Sequence, residues 1–334
     1  MNVIRLKKQN AFEYLWAFIG TLIAIVICLP ISNDGEAYNG LFDDLPVDIG
    51  AFDISITSEY LFWGWMQWVK SIGGTLPIAL IPLIFFTLLF KLKAFKHFGE
   101  NTFYLYLSYA SIFYLLNEGT QLRISAALGF ALLSCVAIKK HKWGLAILLC
   151  IASFGFHITS LLLPLVFFAC YNHHRIQRFS WVFLWSGVLV FIAKISIIDI
   201  IVTPVVSVLG GRYLDYISNS RLETQNSSGL AFIYAFALCS VLVFLYCWAK
   251  ANPNRKTPLF NTCLAVCIYG NGLLFWLFTV VAVAARLCDI LTILIIPLLG
   301  TAIGSSQRTF RYLSVLILGF FMLMRMQVLY HVFL

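Results

Sequence analysis

Charged side chains are scarce in this sequence: they make up 11% of its 334 residues, against 61% for hydrophobic ones. That scarcity excludes a water-soluble enzyme, because no stretch between the apolar runs is long enough for a soluble domain of ordinary size. No P-loop or G-x-G-x-x-G fingerprint is present, and Gly210-Gly211 is only a turn, which argues against an ATP-driven machine or a nicotinamide enzyme. Neither H-E-x-x-H nor any other metal-ligand spacing occurs, so no metal or other cofactor is expected. The nine cysteines all fall in expected helices, which leaves no extracytoplasmic disulfide framework. Cys263 and Cys267 share a helix face at i, i+4, but without an adjacent histidine or carboxylate they read as small packing residues. An internal repeat is absent, and with it the main sequence support for an inverted-repeat transporter. The first apolar run is too long for a cleavable signal peptide, lacks a small-residue cleavage site and leads into further spans.

Apolar stretches of roughly twenty residues recur along the whole chain. Spans are expected near 12–31, 71–90, 102–117, 122–138, 143–156, 158–171, 180–199, 229–249, 259–284, 287–304 and 312–331. The fold class is therefore an all-α polytopic membrane protein, a single transmembrane domain over 1–334 with about eleven helices set against a hydrocarbon core of ~30 Å.

The charges orient it. With the N-terminus inside and the spans alternating, the inner connections hold Arg5, Lys7, Lys8, Lys91, Lys93, Lys96, Lys139, Lys140, Lys142, Arg175, Arg178, Lys250, Arg255, Lys256, Arg308 and Arg311. Those are sixteen of the 23 basic residues, with only Glu13 and Glu100 beside them, whereas the spans and the other side hold seven basic residues and twelve acids. The positive-inside rule predicts this split. The net charge of +9 thus reports orientation rather than nucleic-acid binding, and the C-terminus falls on the outer side.

Two outer segments are long. Residues 32–60 form an acidic loop with Asp34, Glu36, Asp43, Asp44, Asp48, Asp53 and Glu59 and no lysine or arginine. The aromatic run 59–69 suits a helix lying at the interface, so that 32–70 reads as an acidic loop with an interfacial aromatic helix. The second long outer segment is 200–228, and loops of that length in a compact protein are functional or disordered.

Chemistry is expected on this outer side. Arg123 opens the fourth span beside Asn117, Glu118, Thr120 and Gln121. It reads either as a snorkelling anchor paired with Glu118 or as a fixed cation for phosphate or pyrophosphate, and the polar cluster favours the second. His157 lies in a tight hairpin between the fifth and sixth spans, where an imidazole can donate to a leaving phosphate or act as a base near neutral pH. Arg286 lies at the mouth of two apolar spans with Asp289 one turn later, either as an i, i+3 ion pair or as a second functional cation. Arg212 and Arg221 add positive potential from the long outer loop, whereas Lys194 and Arg325 read as snorkelling anchors. Asp34 follows the first span directly: it is a solvated member of an acidic loop or, held near fixed arginines, a base for group transfer, and Glu59 has the same ambiguity.

These residues occur in a suggestive order. An acidic D-x-x-x-Y (Asp34, Tyr38) follows the first helix, and Glu59 precedes an aromatic helix. Then come an R-x-S-x-A helix start (Arg123, Ser125, Ala127), a basic inner hairpin, and F-H-x-T-S (Phe156, His157, Thr159, Ser160). An outer arginine next opens a late helix that reaches a proline (Arg286, Pro297). The order resembles the EpsG-like family of bacterial polysaccharide polymerases, the Wzy type that builds O-antigen, capsule or exopolysaccharide, over about 30–300, with 123–160 the most specific part.

The resemblance implies a GT-C-like glycosyltransferase in the bacterial inner membrane, with its active site and C-terminus facing the periplasm. It implies a growing glycan on undecaprenyl diphosphate as donor and the next lipid-linked repeat unit as acceptor. A chain-length regulator and a flippase are the implied protein partners, and no nucleic acid is involved. Arg123 and Arg286, assisted by Arg212, would stabilise the leaving diphosphate. Asp34, or less favourably Glu59, would deprotonate the acceptor hydroxyl, and His157 would bond the diphosphate or the acceptor. The wider set of expected substrate contacts is Tyr38, Glu59, Glu118, Arg212, Tyr213 and Asp289. Three alternatives share parts of the pattern: an O-antigen ligase using the same donor, a lipid-linked oligosaccharide flippase or transporter, and a polysaccharide O-acyltransferase.

Overall fold

The computed structural model describes residues 2–48, 59–196 and 233–330. Among the described residues the protein is helical throughout, with no strand. In hydrocarbon every backbone N–H and C=O must be bonded within its own segment, which an α-helix achieves. Among the described residues five helices are long and apolar enough to cross a membrane: Ala11–Ile31, Leu76–Phe98, Leu122–Lys139, Ile233–Ala251 and Pro258–Trp276. A bent pair, Val283–Thr292 with Ile295–Ser305, makes a sixth if it counts as one span. The chain is a multi-pass membrane protein. The other stretches expected to cross are largely helical over their described residues, but shorter or more charged, Trp143–Phe156 and Ile158–Asn172 among them.

The chain divides into two compact units, Met1–Pro164 with Leu299–Leu334, and Leu165–Leu298. The first begins with α1 (Asn2–Ile23), which runs on through a π-turn (Ala24–Cys28) to Ile31. Helices α2 (Asn33–Asp44), α3 (Tyr60–Ser71) and α4 (Leu76–Phe98) follow. Then come α5 (Thr102–Tyr109), extended by a second π-turn (Ala110–Tyr114) to Asn117, α6 (Leu122–Lys139) and α7 (Trp143–Phe156).

Helix α6 is the centre of this unit because its residues are small. Ala126, Ala127, Gly129, Ala131 and Ser134 are all buried, which lets neighbouring backbones approach closely. A Cβ at Gly129 would lie 3.1 Å from the Thr87 carbonyl of α4. Serines join α6 to α7 in the same way: Ser134 Oγ donates to the Ala146 carbonyl at 3.1 Å, and Ser153 Oγ to the Ala127 carbonyl at 2.9 Å.

The two ends of the unit differ in character. At one, Lys96 of α4 pairs with the buried Glu13 of α1, and Lys139 Nζ donates to the His97 carbonyl at 2.6 Å. Arg123, at the opposite end of α6, is ~24 Å away at 1.5 Å per residue.

Three boundaries differ from the sequence expectation. The acidic segment read as a loop is helical over Asn33–Asp44: Ser32 Oγ accepts from the Gly35 N–H at 3.1 Å, and Asp34 and Glu36 complement the helix dipole. Its C-terminal carbonyls are captured by α3, where Lys70 Nζ donates to Phe42 (3.0 Å), Asp43 (2.6 Å) and Leu45 (2.6 Å). The span expected at 71–90 runs over Leu76–Phe98, because Gly73 adopts φ +78 and ends the preceding helix while Pro77 starts the next. The stretch expected as one span over 259–284 breaks after Trp276.

That second shift moves Lys91 from the inner connection into α4, where it, and not Arg123, is the partner of Glu118. Both Lys91 and Glu118 are wholly buried and paired at 2.9 Å. Lys91 Nζ also donates to Ser125 Oγ at 2.6 Å and Tyr109 Oη at 3.2 Å, and Tyr109 Oη donates to Glu118 at 2.9 Å. Removing one member of such a pair strands the other charge in a low-dielectric interior.

The second unit continues from α8 (Leu162–Asn172) with α9 (His174–Ile192), α10 (Ile233–Ala251), α11 (Pro258–Trp276), α12 (Val281–Thr292) and the start of α13 (Ile295–Ser305). Helices α9 and α11 are tied by Trp276 Nε1 donating to the Phe183 carbonyl (2.9 Å) and Tyr269 Oη to that of Ile176 (2.8 Å). The chain returns to the first unit and ends in α14 (Arg308–Tyr330).

Lys91→Met is expected to lower the melting temperature in detergent, at a cost of about 3–5 kcal/mol for breaking a buried pair. Lys91→Met combined with Glu118→Gln is expected to recover most of that loss. Scanning fluorimetry of the single and double variants decides it, and an unchanged single variant would remove the structural role.

Candidate active site

Four elements of the first unit converge at the end away from Lys96 and Lys139. Glu59 is the residue that precedes α3, and its side chain turns away from its own helix, making no cap there. It is 9% exposed and accepts from two partners. Arg123 Nη1, in the first turn of α6, donates to Oε2 at 2.5 Å. His157 Nδ1, just past α7, is hydrogen-bonded to Oε1.

The aromatic helix supplies the walls. The Arg123 guanidinium lies over Trp63 of α3, with its carbon 5.8 Å from the ring centroid, and over Tyr38 of α2 at 6.0 Å. Tyr38 in turn packs on Phe62, which packs edge-on to Trp63. Two rings and one carboxylate therefore fix the cation, and its side chain stays 38% exposed, so N–H donors remain for a ligand.

His157 is fixed as firmly. Its backbone N–H donates to the Ser153 carbonyl at 3.0 Å, and Ser160 Oγ donates to the His157 carbonyl at 2.6 Å. Ser153 and Ser160 bond each other at 2.6 Å, and Phe156 stacks on Phe130 of α6 with centroids 5.3 Å apart. Gly155 lets α3 close over this turn, since a Cβ there would lie 2.6 Å from Leu61.

Burial pushes the Glu59 carboxyl up, but the hydrogen bond from His157 and the charges of Arg123 and His157 outweigh it and hold it below its ordinary value of 4.5. Glu59 is thus a carboxylate at neutral pH, and a carboxylate only accepts. The hydrogen bond between them therefore carries its proton on His157 Nδ1, and Nε2 is the ring nitrogen left outside that bond. Burial drives the Tyr38 hydroxyl up, against the lowering influence of Arg123, so it remains protonated.

The structure unites Arg123, His157, Glu59 and Tyr38 from the residues expected by sequence. Asp34 is exposed in the first turn of α2, one turn before Tyr38, and it is Glu59, not Asp34, that lies between arginine and histidine. Glu118 pairs with Lys91 rather than Arg123. Arg286 is exposed and Asp289 buried on α12, in the second unit. Arg212 and Tyr213 lie outside the described residues. Sequence reasoning passed over Trp63, whose only signal was the density of aromatics in 59–69. Among the described residues no cluster of histidine, cysteine and carboxylate could hold a metal ion.

A multi-pass helical membrane protein with a carboxylate-ordered cation and imidazole at one end of its helices is the class that fold and site define. The chain belongs to the EpsG family, whose sequence profile matches residues 13–333. Membership points to polysaccharide biosynthesis in a membrane. No curated protein and no solved structure matches the chain.

The Glu59 carboxylate stabilises the fold fully above pH 4.5, and this contribution fades as pH falls through its lowered folded value. The difference in melting temperature between the native protein and Glu59→Gln is therefore expected to be flat at neutral pH and to shrink on acidification below about 4.5. Thermal melts across pH 3–7, on the order of the carboxylate range, check this; a pH-independent difference would contradict it.

Proposed function

We propose that this protein is a Wzy-type polysaccharide polymerase, a membrane-embedded glycosyltransferase. It moves a growing glycan from undecaprenyl diphosphate to the non-reducing end of an incoming lipid-linked repeat unit. The observation that carries the reading is Glu59 bonded at once to Arg123 and His157. Family membership supports a polysaccharide-polymerase class of reaction.

In the proposed step His157 Nε2 takes the proton of the acceptor hydroxyl while the hydroxyl oxygen attacks the anomeric carbon. The bond from that carbon to the diphosphate oxygen breaks, and the lipid diphosphate leaves with the electron pair. Arg123, held between Trp63, Tyr38 and Glu59, meets the developing negative charge with its remaining N–H donors. Glu59 positions both groups and compensates the charge that forms on the imidazole, as a carboxylate does beside a catalytic histidine. Arg286 with Asp289, and Arg212 and Tyr213, stay in the proposal as substrate contacts on the grounds of the sequence resemblance alone.

Orientation follows from charge. Lys93, Lys96, Lys139 and Lys140 lie toward the opposite end of the first unit from the site, which under the positive-inside rule supports a site at the periplasmic face and a cytoplasmic N-terminus. The exposed apolar side chains of α3 (Tyr60, Leu61, Trp68) suit a helix lying in the headgroup region, where lipid-linked substrates present their diphosphates.

Purified protein given an undecaprenyl-diphosphate-linked repeat unit is expected to produce a ladder of longer lipid-linked glycans. Arg123→Ala is expected to lower the rate by about 10²–10³, the size of a lost oxyanion-type donor. Folded protein that makes no ladder, yet transfers glycan to a lipid A core or moves the repeat unit across a bilayer, would replace the polymerase with a ligase or a flippase.

A further inference from the structure

The second unit holds a cavity of about 680 Å³ where α9 begins, α10 ends and α11 begins. Ligand pockets are typically about 300–1,000 Å³. Arg178 and Lys256 line it, with Gln177, Asn261, Trp181 and Tyr246, and no lining residue is acidic. Neither cationic side chain bonds another described residue, in contrast to Lys91, Lys96 and Arg123 in the first unit. The wall beside them is built rather than loose. Gln177 Nε2 donates to the Cys170 carbonyl at 2.7 Å and to Thr262 Oγ1 at 3.1 Å, and Trp181 meets Tyr246 edge-on with centroids 5.3 Å apart. The Lys250 ammonium, 4.8 Å from the Tyr246 ring centroid, adds a third positive charge beside this wall.

Along α9 an apolar track starts from Arg178 at the cavity wall. Val182, Trp185, Leu189 and Ile192 follow Arg178 at i+4, i+7, i+11 and i+14, so they stack above it on one helix face, and all are exposed. A cation at the foot of a lipid-facing stripe matches an amphiphile that carries its negative charge at one end.

We propose that this cavity seats the phosphate headgroup of an anionic membrane lipid, between Arg178 and Lys256, with acyl chain laid along Val182, Trp185 and Leu189. Cations near a bilayer surface and basic recesses between transmembrane helices favour anionic headgroups. Inorganic phosphate has the same charge chemistry but no use for the stripe or for a volume of this size. The site is independent of the transfer chemistry at Glu59, Arg123 and His157, so either can fail without the other.

The test uses delipidated full-length protein in neutral detergent with three probes: dioctanoyl phosphatidylglycerol, dioctanoyl phosphatidylcholine and inorganic phosphate. Native mass spectrometry counts bound lipid, and melting temperature reports stabilisation. Phosphatidylglycerol is expected to bind and stabilise, and Arg178→Gln with Lys256→Gln is expected to weaken its apparent affinity about tenfold or more. Arg175→Gln removes one charge from the same segment outside the cavity and is expected to stay within about twofold of the native protein. Melting of each variant without lipid separates a binding loss from a folding loss. Equal binding of phosphatidylcholine, equal stabilisation by phosphate alone, or an equal loss in Arg175→Gln would overturn the proposal.

Discussion

Glu59 is a buried carboxylate at the start of an interfacial helix, and its need for two hydrogen-bond donors organises the end of the first unit. One donor comes from the first turn of α6, the other from the turn after α7. Leaving either oxygen unpaired costs a desolvation penalty of about 1–3 kcal/mol or more for a charged group. The helices that deliver the donors are therefore held in register by the same bonds that form the site. The small-residue face of α6 and the Ser153 bond to the Ala127 carbonyl make that register possible, because they let α4 and α7 pack close to α6.

Low dielectric explains why the cation and imidazole are arranged this way. A guanidinium meeting a diphosphate in water gains little, whereas one held by two aromatic faces and a carboxylate at a bilayer surface is already oriented when charge develops. Lys91 and Glu118 solve a different problem: wholly buried, they neutralise each other and tie α4 to the turn from which α6 starts. Cations with buried carboxylate partners serve the fold and the proposed transfer site, whereas the cations facing the cavity of the second unit keep their charge available to a ligand.

Much of this was legible in the sequence and some was not, for physical reasons. The membrane class and the helical stretches follow from hydropathy, because lipid permits few backbone solutions. Arg123 and His157 stood out because polar side chains at the ends of apolar helices need a purpose. Glu59 could not be ranked above Asp34, since its partners are 64 and 98 residues away and contacts at that separation leave no local pattern. Asp34 instead begins α2, where an acid in the first turn serves the helix dipole. Lys91 was misplaced because a lysine near the end of an apolar run looks like an anchor until a buried acid is found for it. The break after Trp276 was hidden in uninterrupted hydrophobicity, with no glycine or proline between 273 and 284 to mark it.

The central claim is that the histidine ordered by Glu59, and not Asp34, takes the acceptor proton. Initial rates of glycan extension by His157→Gln and Asp34→Asn, measured side by side on the same lipid-linked repeat unit, test it most directly. His157→Gln is predicted to lose about a hundredfold or more, the contribution of a general base, while Asp34→Asn stays within about threefold of the native rate. A collapse in Asp34→Asn with His157→Gln near native would move the base to α2 and contradict the account.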